Sequence, residues 1–184
     1  VLPSDAILVA DTGYSALWAG NLVDMLHPGQ TYMRAAGSLG WSFPASIGAK
    51  AAAPERTVVC FTGDGGFSYH LPELETAKRM GLNVIVIVNN NECLSQGLKN
   101  LNIAYSNRPE GRKSECYVYQ KTDFAKIAQA FNCFGTTVDE KRDLYSGCLG
   151  SLVKFPTKTS RLTAGSATPS LVSLGLLTNS HGNG

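Results

Sequence analysis

The sequence predicts an α/β fold of three layers, helices on both sides of a mainly parallel sheet. Short apolar runs at residues 6–10, 57–61 and 84–88 alternate with stretches of helical period. The run Val84, Ile85, Val86, Ile87, Val88 is β-branched throughout, which suits a parallel strand covered on both faces. Each run ends in a short loop: Asp11-Thr12-Gly13, Gly63-Asp64-Gly65 or Asn89-Asn90-Asn91. Alternation of this kind predicts helices packed over a parallel sheet, with ligands held where the strands end.

The elements follow in order. Residues 6–10 read as a buried strand ended by Asp11-Thr12-Gly13, and residues 14–26 as a helix carrying Leu17, Trp18, Leu22, Met25 and Leu26, stopped by Pro28-Gly29. Residues 35–40 are small and glycine-rich and lead into a helix with Pro44 in its first turn. Residues 57–61 form the second strand, and Gly63-Asp64-Gly65-Gly66 reads as a tight loop. Pro72 opens a helix running to Met80. Glu73 and Glu75 sit in its first turn, where the helix dipole favours acids, and Gly81 caps its end. After the third strand, the stretch 92–97 and the region 108–113 read as loop. A helix over 123–131 has Thr122 as its expected N-cap, and a last strand lies near 133–138.

Composition bounds the function. The 184 residues carry a net charge of only +2, which removes the electrostatic case for nucleic acid or an anionic membrane as main partner. The longest apolar run is far shorter than the roughly 20 residues that span a bilayer. No secretory signal pattern opens the chain, and the absence of an initiator Met is what a fragment would show. Cys60, Cys93, Cys116, Cys133 and Cys148 form no CxxC pair, and His27, His70 and His181 are scattered. Unclustered cysteines fit a reducing compartment, so a cytoplasmic location is expected. Residues 144–184 hold Lys154, Lys158 and Arg161 but no Asp or Glu. This Ser-, Thr- and Gly-rich tail shows no sustained period and is expected to be flexible, which bounds the domain at residues 1–143.

The chemistry concentrates at Gly63-Asp64-Gly65-Gly66. A carboxylate between glycines at a strand end suits a hard cation, and the glycines let an anion approach the backbone N–H groups. A carboxylate alone repels phosphate, so the two belong together only with a cation such as Mg²⁺ between them. Asn91 stands 27 positions after Asp64, room for a helix and the next strand of a βαβ crossover. Its side-chain oxygen and the backbone carbonyl of Cys93 are neutral oxygen donors. The run of three asparagines leaves Asn90 as an alternative to Asn91. A dinucleotide-binding domain is disfavoured, because no G-x-G-x-x-G follows a first strand.

The segment from Gly63 to Asn91 resembles the thiamine diphosphate motif, in which GDG is followed some 25 residues later by NN. Residues 1–140 more widely resemble the diphosphate-binding domain of the acetolactate synthase and 2-oxo acid decarboxylase family. Matching blocks are Asp11-Thr12-Gly13 with Trp18, Gly37-Ser38-Leu39-Gly40, residues 44–49 and residues 73–77. The resemblance implies Asp64 and Asn91 as metal ligands by side chain and Cys93 by its carbonyl. It places Gly13, Tyr14, Ser15, Gly65 and Gly66 against the diphosphate. Gly37 and Ser38 would meet the aminopyrimidine side, with Leu39 as the apolar prop under the bent cofactor.

The implied cofactors are thiamine diphosphate and Mg²⁺, and the implied activity is C–C bond cleavage or formation on a 2-oxo acid by a lyase or transferase. The activating glutamate would lie on a separate pyrimidine-binding domain, from the same or another subunit of a homo-oligomer such as a dimer. No catalytic residue is therefore assigned within this chain. His70 reads as the start of a helix rather than as a substrate-side group. The alternative is a truncated, non-catalytic chain that binds only cofactor or a partner subunit.

Overall fold

The computed structural model describes residues 2–108, 111–138 and the strand at 172–176. In chain order the elements are β1 (Ile7–Ala10), α1 (Tyr14–Leu22), β2 (Thr31–Arg34), α2 (Ser42–Ala52), β3 (Val58–Gly63), α3 (Asp64–Ser68) and α4 (Glu73–Arg79). Then come β4 (Ile85–Asn89), α5 (Leu98–Ala104), α6 (Phe124–Ala130), β5 (Phe134–Val138) and β6 (Val172–Leu176).

The sheet order is β2-β1-β3-β4-β6-β5. Strands β2, β1, β3 and β4 are mutually parallel. Strand β6 runs antiparallel to both β4 and β5, so β5 keeps the direction of the other four. The mainly parallel, three-layer α/β/α architecture is thus present. Strands β1, β3 and β4 feed both faces alternately. Ile7, Val9, Val58, Cys60, Val86 and Val88 pack with Phe43 and Ile47 of α2, Phe67 of α3, Leu74 and Ala77 of α4, and Phe124 and Ala128 of α6. Leu8, Ala10, Val59, Ile85 and Ile87 face the other way, toward Ala19 of α1 and Val138. Two covered faces explain the unbroken apolar runs. Burying each such side chain contributes about 1.5–3 kcal/mol, against about 1 kcal/mol net for a hydrogen bond, so this sandwich sets the position of the strands.

The chain leaves β1 toward β2 on one side and returns to β3 on the other. The carboxyl ends of β1 and β3 therefore form a topological switch point, the place where a crevice opens in such sheets.

Several elements depart from expectation. Helix α1 stops at Leu22 rather than 26; Asn21 Nδ2 takes the Leu17 carbonyl at 2.6 Å, competing with the helix ladder, and Val23 turns extended. Strand β2 was not expected: it is an edge strand, half-buried, without an alternating pattern. Gly63-Asp64-Gly65-Gly66 is not a loop, because Gly63 ends β3 and Asp64 begins α3 directly. The N-cap of α6 is Asp123, whose carboxylate accepts the Lys126 N–H at 3.0 Å; Thr122 instead donates to the Gln120 carbonyl. Residues 95–97 form a 3-10 turn leading into α5, where loop was expected. Arg108, Gly111 and Arg112 are exposed, in keeping with a solvated loop.

Strand β6 lies inside the segment read as lacking a period. Val172, Leu174 and Leu176 alternate with Ser173 and Gly175, a signal five residues long within a Ser/Thr-rich background. The rest of the expected flexible tail, with Cys148 and His181, lies outside the described residues.

Phe67 ties α3 to the core, packing edge-to-face with Phe43 and Phe124 at ring-centroid distances of 5.1 and 5.7 Å. Phe67→Ala is expected to lower stability by about 3–5 kcal/mol, read by denaturant unfolding; a loss under about 1 kcal/mol would show that α3 is not anchored this way.

Candidate functional site

A cleft of about 290 Å³ opens at the carboxyl ends of β1, β3 and β4. Thr12, Gly13, Tyr14 and Ser15 line it from β1 and α1, and Gly63, Asp64, Gly65 and Gly66 from β3 and α3. Asn91, Cys93 and Leu94 line it from beyond β4. Gly63 pairs with Asn89 across the β3–β4 ladder, so the two loops leave the sheet side by side. The 27-residue separation of Asp64 and Asn91 in sequence collapses to neighbouring strand ends.

Asp64 is the first residue of α3 and only 4% exposed. Its Oδ2 accepts the Cys93 N–H at 3.1 Å, which ties the β4 loop to the carboxylate. Burial pushes the Asp64 carboxyl above the ordinary carboxylate range, opposed by hydrogen bonds from the backbone at Gly65, Cys93, Asp64 itself and Glu92. The Cys93 thiol is likewise raised, by burial and then by the nearby Asp64 charge.

The two glycines after Asp64 allow close packing that a side chain would prevent. A Cβ on Gly65 would stand 2.6 Å from Leu94 Cδ2 and 3.1 Å from Tyr119 Cε2. A Cβ on Gly66 would stand 3.0 Å from both Asp11 Cγ and Thr62 Oγ1. Gly13 has φ +104°, a conformation that other residues rarely adopt, and caps α1 without any side-chain bond to the helix. Helix α3 also begins without a side-chain cap. The N-terminus of α1, without a side-chain cap, borders the cleft with its N–H donors, an arrangement that favours an anion, whereas at α3 the Asp64 carboxylate itself takes the first backbone N–H groups.

The asparagines divide their tasks. Asn91 lines the cleft, and its Nδ2 donates to Ser95 Oγ at 3.0 Å, which leaves the side-chain oxygen as its cation-binding group. Asn90 is buried and turned away: its Nδ2 donates to the Thr122 carbonyl at 3.0 Å and its Oδ1 accepts the Glu92 N–H at 3.2 Å.

The structure brings Gly13, Tyr14, Ser15, Leu39, Asp64, Gly65, Gly66, Asn91 and Cys93 to one cleft. Gly37 and Ser38 are exposed and do not line it, although the Gly37 N–H donates to Thr12 Oγ1 at 3.2 Å. His70 packs under Gly40 at the turn between α3 and α4, away from the cleft lining.

Residue reading missed the support provided by Asp11. This carboxylate is fully buried and accepts the Gly40 N–H at 2.9 Å, the Ser42 N–H at 3.1 Å and the Ser42 hydroxyl at 2.5 Å. It fixes the loop that carries Leu39 against the end of β1. Only its place at a strand end before Thr12-Gly13 hinted at this. Trp18, Ser95, Gln96, Leu101 and Cys116 complete the wall, and Trp18 stacks on Tyr14 at 5.7 Å.

The donor set suits a divalent ion: one buried carboxylate at Asp64 and the side-chain amide oxygen of Asn91, with the Cys93 backbone in the same cleft. Among the described residues no three His, Cys, Asp or Glu side chains converge, so a thiolate or imidazole metal centre has no support there. No helix among them is long and apolar enough to cross a membrane.

Fold and site together define a class, a doubly wound α/β domain with a glycine-lined polar cleft at its switch point. The comparisons specify it further. Residues 11–148 match the model of the thiamine pyrophosphate enzyme family, C-terminal TPP binding domain. The acetolactate synthase large subunit of Haemophilus influenzae is 39% identical over 111 residues, covering 60% of this chain and 19% of that one. The acetolactate synthase isozyme 3 large subunit of Escherichia coli is 32% identical over 143 residues, covering 77% and 24%. The probable acetolactate synthase large subunit of Methanocaldococcus jannaschii is 30% identical over 129 residues, covering 69% and 21%. The chain belongs to the thiamine pyrophosphate enzyme family as its C-terminal TPP binding domain, and it spans a fifth to a quarter of the length of these relatives.

The raised pKa of Asp64 has a consequence for the metal-free chain. The fold disfavours the ionised form, so the penalty is absent at low pH, where folded and unfolded states are both protonated. It grows as pH rises past the ordinary carboxylate range and is full once pH exceeds the raised folded-state value. Metal-free Asp64→Asn is therefore expected to melt at or above the parent temperature at pH 7, with the difference shrinking toward pH 3. A variant that melts well below the parent at pH 7 would contradict this.

Proposed function

We propose that this chain binds thiamine diphosphate through Mg²⁺ in the cleft between β1, β3 and β4. The observation that supports it most is the convergence of Asp64, Asn91 and Cys93 at adjacent strand ends, in one cleft with the uncapped N-terminus of α1. In this reading Asp64 and Asn91 hold the metal by side-chain oxygens and Cys93 by its carbonyl. Gly65 and Gly66 give the diphosphate close access to the backbone, and Gly13, Tyr14 and Ser15 offer N–H donors from the start of α1. Leu39 supports the cofactor from the side, with Gly37 and Ser38 at the rim toward the aminopyrimidine.

When bound, thiamine diphosphate supplies an electron sink for carbanion chemistry at a carbonyl carbon. This chain's residues hold the diphosphate through the metal ligands and backbone N–H groups, fix its orientation and, through Leu94 and Leu101, keep apolar surface beside it. In the complete enzyme the activity is C–C bond cleavage or formation on a 2-oxo acid, of the acetolactate synthase type. A pyrimidine-binding domain completes the site, from the same chain or a second subunit of a homo-oligomer, in the cytoplasm.

Calorimetric titration with thiamine diphosphate tests the proposal. Binding is expected to require Mg²⁺, and Asp64→Ala to weaken it roughly 100-fold or more, since loss of a ligand exceeds the 10–100-fold typical of outer-shell changes. Equal binding with and without metal would overturn the reading.

A further inference from the structure

The β4 loop holds one residue in an unfavourable backbone state. Glu92, between Asn91 and Cys93, has φ +56°, the left-handed region that non-glycine residues rarely adopt. Such a conformation persists only where surroundings impose it. Three contacts with residues 117–122 hold the loop from outside: the Leu94 N–H on the Tyr117 carbonyl at 2.8 Å, the Tyr119 N–H on the Glu92 carbonyl at 2.8 Å, and Asn90 Nδ2 on the Thr122 carbonyl at 3.0 Å. From inside, Asn90 Oδ1 accepts the Glu92 N–H at 3.2 Å, beside the Asp64 carboxylate, which accepts the Cys93 N–H and a backbone bond from Glu92; Asn90 is the residue that holds the loop from both sides. It is 7% exposed, so neither bond is easily replaced by water.

We propose that Asn90 is the positioning residue of the cation loop: by holding Glu92 in its left-handed conformation it sets the directions of the Asn91 side chain and the Cys93 carbonyl. It touches no ligand. The inference rests on the metal-site reading above and adds a division of labour within the asparagine run, one member to ligate and one to fix the turn.

The physical argument predicts a specific rescue. Without Asn90, a glutamate at position 92 relaxes toward negative φ and swings its neighbours out of register. A glycine there adopts the left-handed state at no steric penalty. Direct Mn²⁺ binding to the full 184-residue chain, read by electron paramagnetic resonance with thiamine diphosphate present, is measured for the parent, Asn90→Ala, Asn90→Ala with Glu92→Gly, and Asp64→Ala, alongside thermal melting.

Asn90→Ala is expected to weaken Mn²⁺ binding about 10–100-fold, the range for groups that orient ligands, and the added Glu92→Gly to restore at least part of it without raising the melting temperature. Parent-like binding by Asn90→Ala overturns the inference. So does a loss that Glu92→Gly leaves unchanged, or one that recovers only in step with melting temperature, because either makes Asn90 ordinary structural support. If Asp64→Ala binds Mn²⁺ like the parent, the metal-site reading itself fails and takes this inference with it.

Discussion

The burial of one carboxylate, Asp64, is the constraint around which the domain is arranged. Taking an ionised carboxylate out of water is unfavourable unless charge or hydrogen bonds compensate. Asp64 has the Cys93 N–H and the start of α3, but no cationic side chain: the three ion pairs among the described residues are exposed, and none includes it. Its raised pKa records the imbalance. A divalent cation would correct it. Gly65 and Gly66 have no space for a side chain, Gly13 starts α1 in a glycine conformation, and Asn91 presents a neutral oxygen.

That arrangement depends on the sheet. Parallel strands send their carboxyl ends to one edge, and the reversal of strand order at β1 and β3 separates the covering helices there. The two apolar layers fix β3 and β4 within the sheet, so the 4% exposure of Asp64 follows from the same packing that stabilises the fold. Asp11 gives the third side the same rigidity, clamping the loop before α2 to β1 with three hydrogen bonds. The cleft thus joins loops whose positions are set by buried polar anchors rather than by surface contacts.

Local signals carried the parts of this design that are local. The β-branched run of β4 and the acidic first turn of α4 each announce their structure in a few residues, whereas the glycines around Asp64 read as a loop and instead open α3. What stayed hidden depends on distant partners. Edge strand β2 is half-buried and lacks alternation, so Thr31–Arg34 reads as loop until β1 is placed beside it. Helix α5 and the 3-10 turn before it have neither an acidic first turn nor a capping side chain. Strand β6 is a brief alternation that only pairing with β4 and β5 makes visible. The register of the three asparagines could not be read from spacing, because Asn90 and Asn91 differ only in what surrounds them: Thr122, 32 positions on, in one case and the cleft in the other. Asp11 was placed at a strand end, but its role as an anchor needed Gly40 and Ser42 folded against it.

The central claim is that the buried carboxylate and the asparagine oxygen share one divalent ion. Crystals of the chain grown with thiamine diphosphate and Mn²⁺, measured at the manganese absorption edge, address it directly. The account predicts a single strong anomalous peak within coordination distance of Asp64 Oδ1 or Oδ2, Asn91 Oδ1 and the Cys93 carbonyl, with the diphosphate toward Gly13 and Gly65. A peak at another position, or a bound diphosphate with no metal between it and Asp64, would contradict it.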